Sequence, residues 1–167
     1  ELIEALDGLG QPLERYTIVD VSGALRARQQ ARLAAFGARV AWADALPDSL
    51  RGVVVGNEVL DAMPVKLLAR IGGAWHERGV ILASKSPTAQ AGQAQEAIEN
   101  AANPFAWADR PTALRPPVAV EGAHDYVTEI HPQARAFVAT VAEALARGGA
   151  GAAYFIDYGF PEAEYWH

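Results

Sequence analysis

Four short apolar runs, each ending in polar residues, constrain this chain more than any other feature. They are Tyr16-Thr17-Ile18-Val19 before Asp20, Arg39-Val40-Ala41-Trp42 shortly before Asp44, Val53-Val54-Val55 shortly before Asn57-Glu58, and Ala152 to Ile156 before Asp157-Tyr158. Their β-branched and aromatic content favours strands. Between the first two, Ser22 is placed to cap a helix, Leu25, Leu33 and Phe36 form its apolar stripe, and Gly37 stands just past its end. Before the last run, Pro132 suits a first helical position. Phe137, Val138, Val141 and Leu145 follow on one stripe, and Gly148-Gly149 stop that helix. Strands alternating with helices are the pattern of a parallel sheet with covering helices. If the strands are parallel, their polar ends converge on one edge, where open α/β sheets bind ligands.

The alternation breaks in the middle. Val65 to Ile71, Gly72-Gly73 and Ala74 to Leu82 read as an antiparallel hairpin. Residues 84–117 are rich in Ala, Gln and Pro; a short helix is expected over Gln93 to Ala102, with Pro104, Pro111, Pro116 and Pro117 making the rest irregular. The expected division is a core of residues 1–64 and 131–167, with 65–130 as an insertion on the substrate side. At the start, Leu2, Ile3, Leu6 and Leu9 recur at helical spacing.

Composition excludes several chemistries. Neutralising nucleic-acid phosphates takes clustered Lys and Arg, and the net charge is −6; Arg26, Arg28 and Arg32 are expected to form a solvated helix face. The chain has no cysteine, hence no disulfide, thiolate metal site or Cys nucleophile. No apolar stretch reaches the length of a membrane span, and the composition fits a cytoplasmic setting. The histidines at 76, 124, 131 and 167 lack metal-ligand spacing, so no metal is expected. Gly148 to Gly151 precedes a strand, whereas a phosphate cradle lies between a strand and a helix.

The strand ends carry the candidate chemistry. Asp20 can accept hydrogen bonds from both hydroxyls of a ribose, or it complements a helix N-terminus. Asp44 can accept from an adenine amino group, or it is a loop carboxylate. Ser22 lacks a Gly-x-Ser-x-Gly setting and reads as a helix cap beside Asp20. In Gly56-Asn57-Glu58-Val59-Leu60-Asp61-Ala62-Met63-Pro64, Glu58 and Asp61 would share a face of a helical turn. Carboxylates and a carboxamide gathered there suit a cationic substrate better than an anionic one.

In four stretches the chain resembles the MidA-like class I S-adenosylmethionine-dependent methyltransferases, a family that includes the mitochondrial complex I assembly methyltransferase. The stretches are Tyr16 to Ser22 with Leu25-Arg26 and Gln29, Asn57 to Val65, Glu129-Ile130-His131-Pro132, and Phe155 to Gly159. Asp20 stands where the family usually has Glu, and Met63 where Leu is common. The resemblance implies an α/β fold: a Rossmann-like class I methyltransferase sheet with helices on both faces and an α+β insertion after the fourth strand. Its first strand and glycine-rich cofactor loop would precede Glu1, so the chain is expected to be a fragment that binds cofactor weakly and is inactive alone. The implied cofactor is S-adenosyl-L-methionine and the implied reaction methyl transfer to a protein side chain, an arginine of a respiratory-complex subunit in the mitochondrial branch. On that reading Glu58 and Asp61 orient the acceptor, Asn57 lines the methyl-transfer site, Asp157 and Tyr158 close the acceptor side, and Asp20, Ser22, Asp44 and Asn57 face the cofactor. Glu129 is a further acceptor-side candidate. Two other readings stay open: a non-catalytic assembly or scaffolding module that keeps the fold, and a nucleotide-dependent oxidoreductase.

Overall fold

Hydrogen-bonded ladders form at each of the four apolar runs, in a computed structural model that describes residues 1–82 and 104–161. In order, the elements are α1 (Leu2–Gly8), β1 (Tyr16–Val19), α2 (Gly23–Leu33), a 3-10 segment (Ala34–Arg39), β2 (Val40–Ala43), β3 (Gly52–Asn57), β4 (Lys66–Ile71), β5 (Ala74–Leu82), β6 (Phe105–Pro111), β7 (Tyr126–Ile130), α3 (Pro132–Gly148) and β8 (Gly151–Ile156). The chain divides into two compact units, Glu1–Gly52 with Val141–Ala152, and Val53–Thr140 with Ala153–His167. The expected helix at Gln93 to Ala102 lies outside the described residues.

In the first unit β1 and β2 pair in parallel, Tyr16 opposite Val40 and Val19 opposite Ala43. The connecting helix is shorter than its sequence implies. α2 ends at Leu33, and a 3-10 segment follows in which Gly37 takes φ 56°. No residue of α2 is buried, so the stripe of Leu25, Leu33 and Phe36 is only partly covered. Arg39 forks onto Asp7 at 2.9 and 2.8 Å and links α1 to the segment before β2; Ile3 of α1 and Val40 of β2 are buried. The last turn of α3 lies against residues 48–52. Leu50 N–H donates to Ala144 O at 2.9 Å, and Arg147 Nε to Asp48 O at 2.6 Å. Gly149, at φ 80°, ends the helix by donating to Leu145 O at 3.1 Å, so the glycine run is a helix stop and turn.

β3 pairs with β8, and their residues from Val53 and Ala153 onward belong to the second unit. Gly52 N–H donates to Ala150 O and Glu58 N–H to Ile156 O, so the two strands run in the same direction. One face of this ladder meets α3, where Phe137 and Phe155 pack edge to face at 5.6 Å. Strand alternation puts Val53, Val55, Tyr154 and Ile156 on the other face, and all four are exposed. The expectation of helices on both faces is therefore corrected for this ladder: among the described residues one face is covered. The four strands expected in one parallel sheet pair as two ladders, β1–β2 and β3–β8.

Residues 66–130 carry a separate antiparallel sheet in the order β6-β5-β4-β7. Its hairpin is the expected one. Ile71 pairs with Ala74, and Gly72 and Gly73 take φ 55° and 83°, as a two-residue turn that follows the sheet twist requires. The expectation of irregular chain after Pro104 is corrected at β6. Pro111 ends that strand, and β6 is an edge strand, where a missing N–H costs no ladder bond. Arg78 and Asp109, directly opposite across β5–β6, form a bidentate pair with both contacts at 2.8 Å. This holds the Asp109 carboxyl below the usual carboxylate range. The central strand β4 supplies the core: Leu68 and Ala69 are fully buried. Buried Arg70 has no carboxylate partner among the described residues. It instead holds the 112–125 connection by donating to Val120 O at 2.5 Å and His124 O at 2.9 Å.

Candidate active site

The end of β3 is shaped by one close approach and one unusual backbone angle. A Cβ on Gly56 would lie 2.8 Å from the Phe155 ring and 3.1 Å from Val59, so only glycine fits where the motif leaves the ladder. Two residues on, Glu58 takes φ 53°, the sole non-glycine with positive φ among the described residues. That conformation costs a side-chain-bearing residue about 1–2 kcal/mol. Strain retained at a carboxylate beside a strand end motivates a functional reading. The chain then turns, and Met63 N–H donates to Leu60 O at 3.0 Å.

Asp157 holds this turn. Its Oδ2 accepts from Leu60 N–H at 2.9 Å and Asp61 N–H at 3.2 Å, and its Oδ1 accepts from Tyr158 N–H at 3.0 Å. Both oxygens are engaged by backbone donors, so Asp157 positions the motif, whereas the sequence placed it on the acceptor side. Asp157→Ala is expected to free two turn amides, with amide exchange at Leu60 and Asp61 speeding by about tenfold, equivalent to roughly 1.4 kcal/mol. Unchanged protection, read by hydrogen exchange, would remove this role.

Tyr158 completes the cluster. Its hydroxyl donates to Glu58 Oε1 at 2.8 Å. That bond, followed by burial and then the nearby Asp61 and Asp157 charges, raises the phenol above its ordinary value. The bond is therefore present below a pH of about 10 and is lost only as pH rises through the higher folded value. Glu58, Asp61 and Asp157 place three carboxylates around this hydroxyl. Glu58, Asp61 and Asn57 are exposed. The arrangement offers carboxylate acceptors, already partly oriented, to a cation. Asn57, Glu58, Asp61, Asp157 and Tyr158 thus all belong to the second unit.

The first unit gathers the residues assigned to a nucleoside. Asp20 Oδ1 accepts from Ser22 N–H and Oδ2 from Gln29 Nε2, both at 2.8 Å. Trp42 Nε1 donates to Gln29 Oε1 at 3.0 Å and fixes the amide. The Asp20 carboxyl is held below its ordinary range, chiefly by the Ser22 N–H and then by Gln29. Ser22 Oγ accepts from Leu25 N–H at 3.3 Å, the expected helix cap. Arg26 is not a solvated cation. Its Nη2 donates to Asp20 O, Ala43 O and Asp44 Oδ1 at 3.1, 3.2 and 2.5 Å, linking the ends of β1 and β2. Its charge alone does not reveal this. The signal is its position three residues before Gln29, on the helix that starts beside Asp20.

The hydrogen bonds of Asp20 leave part of its acceptor capacity unused. An ionised carboxylate offers about four acceptor positions. Asp20 spends one on each oxygen, leaving one on each for a diol. Asp44 spends Oδ1 on Arg26 and is otherwise exposed.

A cleft of about 290 Å³ lies elsewhere in the second unit, between the end of β7, the first turn of α3 and the 112–125 connection. Glu129, Ile130, His131 and Arg135 line it, with Arg115 opposite. His131 Nε2 lies 3.0 Å from Met63 O. A carbonyl only accepts, so Nε2 carries the proton and the bond joins this cleft to the motif after β3. Among the described residues no group of three or more His, Asp or Glu is placed to hold a metal, and no helix is long and apolar enough to cross a membrane.

Residues 5–167 match the family model described as "Putative S-adenosyl-L-methionine-dependent methyltransferase". A solved structure described as "a COG1565 superfamily member and likely methyl transferase from Burkholderia thailandensis bound to S-adenosyl-homocysteine" is 47% identical, with a TM-score of 0.72 over 99% of this chain and 40% of that one. An "uncharacterized ACR, COG1565 superfamily protein" from the same organism is also 47% identical, with a TM-score of 0.74 over 99% of this chain and 41% of that one. The chain thus spans about two fifths of the length of these solved relatives. No curated protein matches it.

Proposed function

Because this chain belongs to that family of S-adenosyl-L-methionine-dependent methyltransferases, we propose that it forms the acceptor-facing part of an enzyme that methylates a protein side chain, with arginine as the acceptor. The observation that carries the reading is the Glu58–Tyr158 contact at 2.8 Å within a cluster of three carboxylates. A guanidinium is planar and matches carboxylate geometry in bidentate fashion. Glu58 and Asp61 orient it, and Tyr158 fixes the Glu58 carboxylate through Oε1, leaving Oε2 for the acceptor. Asn57, the last residue of β3, lines the transfer site.

S-adenosyl-L-methionine supplies an electrophilic methyl group on a sulfonium. The protein's task is to place the acceptor nitrogen in line with it and to take the proton that nitrogen loses. We assign the second task to Glu58. On the nucleoside side, Asp20 holds the ribose hydroxyls through its remaining lone pairs, Asp44 accepts from the adenine amino group, and Ser22 orients the Asp20 carboxylate through its N–H.

We propose further that ladders β1–β2 and β3–β8 belong to a Rossmann-like class I methyltransferase sheet, and that residues 65–130 form a substrate-side subdomain. Titration calorimetry of the intact protein with S-adenosylhomocysteine and with NAD tests the cofactor reading. Micromolar binding of the former and none of the latter is expected. Binding of NAD alone would overturn it.

A further inference from the structure

The cleft beside His131 holds charges that the methyl-transfer reading does not use. Arg135, in the first turn of α3, has no ion-pair or hydrogen-bond partner for its guanidinium among the described residues, and it lines the cleft. Arg115 lines the opposite side. Its Nη1 donates to Thr112 O at 3.0 Å and Leu114 O at 2.7 Å, which fixes the plane of its fork. A guanidinium held in place by backbone carbonyls is pre-organised for a carboxylate. Glu129 brings one opposing charge, so the arginines leave the cleft with one net positive charge in a chain of net charge −6. Pro117, Ile130 and Pro132 give the cleft apolar walls suited to a methylene stem. The His131–Met63 bond sets this cleft beside the end of the acceptor motif.

We propose that this cleft receives an acidic side chain of the acceptor polypeptide, a glutamate or aspartate near the methylated arginine, through Arg135 and Arg115. The proposal rests on the protein-acceptor reading above. A carboxylate carries one charge and matches the surplus. A phosphoryl group carries nearly two and meets repulsion from Glu129. The cleft therefore selects the acceptor by sequence context, while Glu58 and Asp61 engage the arginine itself.

Fluorescence anisotropy on the intact protein, saturated with S-adenosylhomocysteine, tests this. The probes are labelled arginine peptides with one glutamate moved from one to four residues to either side of the arginine, and the same peptides with glutamine or phosphoserine instead. In at least one register the glutamate peptide is expected to bind about tenfold tighter than its glutamine counterpart. Arg135→Ala and Arg115→Ala should each reduce that preference to about twofold or less, and Arg135→Glu should transfer it to a lysine peptide. Equal binding of glutamate and glutamine peptides in every register overturns the inference. So does a preference that survives Arg135→Ala, or one in which phosphoserine binds best. Methyl transfer to the same peptides separates the two levels. Transfer without any glutamate preference sinks this inference alone, and glutamate-dependent binding without transfer to arginine sinks the arginine-acceptor reading alone.

Discussion

Glu58→Gln is expected to lower the rate of methyl transfer in the intact protein by roughly two to three orders of magnitude, the usual cost of removing a single stabilising group. Affinity for S-adenosylhomocysteine should stay within about twofold, since the proposed function puts the lost charge on the acceptor side. Glutamine preserves the volume and keeps an oxygen that can accept from Tyr158, whose hydroxyl donates to Oε1 at 2.8 Å. It also inherits the same φ of 53°, so the backbone strain does not change. What disappears is the negative charge that the proposed function uses to hold a guanidinium and to take its proton. Single-turnover transfer of labelled methyl, set beside calorimetry, reads both quantities. A rate that stays within threefold of wild type would remove Glu58 from the chemistry. Loss of cofactor affinity in parallel with rate would move it to the cofactor side.

The second large effect is on stability. Gly148→Ala is expected to cost about 3 kcal/mol or more, at the upper end of overpacking penalties, and to lower Tm by roughly 6 to 12 °C. The added Cβ would overlap the backbone carbonyl of Leu50, and a carbonyl cannot swing aside as a side chain can. The same segment is held by Leu50 N–H on Ala144 O at 2.9 Å and by Arg147 Nε on Asp48 O at 2.6 Å, so relief in one place breaks bonds in another. The neighbour Gly149 is a control. It has open space around it and a φ of 80°, so Gly149→Ala should cost only the left-handed penalty of about 1–2 kcal/mol. Thermal unfolding of the two variants side by side decides the matter. If they lose stability equally, crowding at Leu50 is not the reason for Gly148.

Periodicity and turn chemistry made most of the backbone legible. The four apolar runs became strands because each is short, β-branched or aromatic, and bounded by breakers. The Gly72-Gly73 hairpin was legible because few dipeptides other than glycine pairs supply two positive φ values at no steric cost. β6 was not, because two prolines near it read as breakers, and only the sheet order reveals that Pro111 lies on an edge strand. Gly37 marked a real break, but the tightening of the chain over Ala34–Arg39 leaves no periodic signature of its own. Among the site residues, Glu58 and Tyr158 were named from their strand ends, and the contact between them spans a hundred residues. Asp157 shows what residue type alone cannot tell. A carboxylate at a strand end looks like a reactive group until its lone pairs are found on Leu60, Asp61 and Tyr158 amides. Arg26 is the converse, a cation that looks solvated until two backbone carbonyls and Asp44 are found at its guanidinium.

The bond between His131 and Met63 has a consequence for how such a chain can vary. The antiparallel sheet begins just after Met63 and ends just before His131, and these two residues touch at 3.0 Å. The polypeptide therefore departs from and rejoins its scaffold at nearly one point. A cassette with adjoining ends can be lengthened, shortened or exchanged with little change in the loop-closure cost borne by what surrounds it. The carboxylate cluster at the ends of β3 and β8 lies outside that cassette and would be inherited unchanged while the cassette diverges.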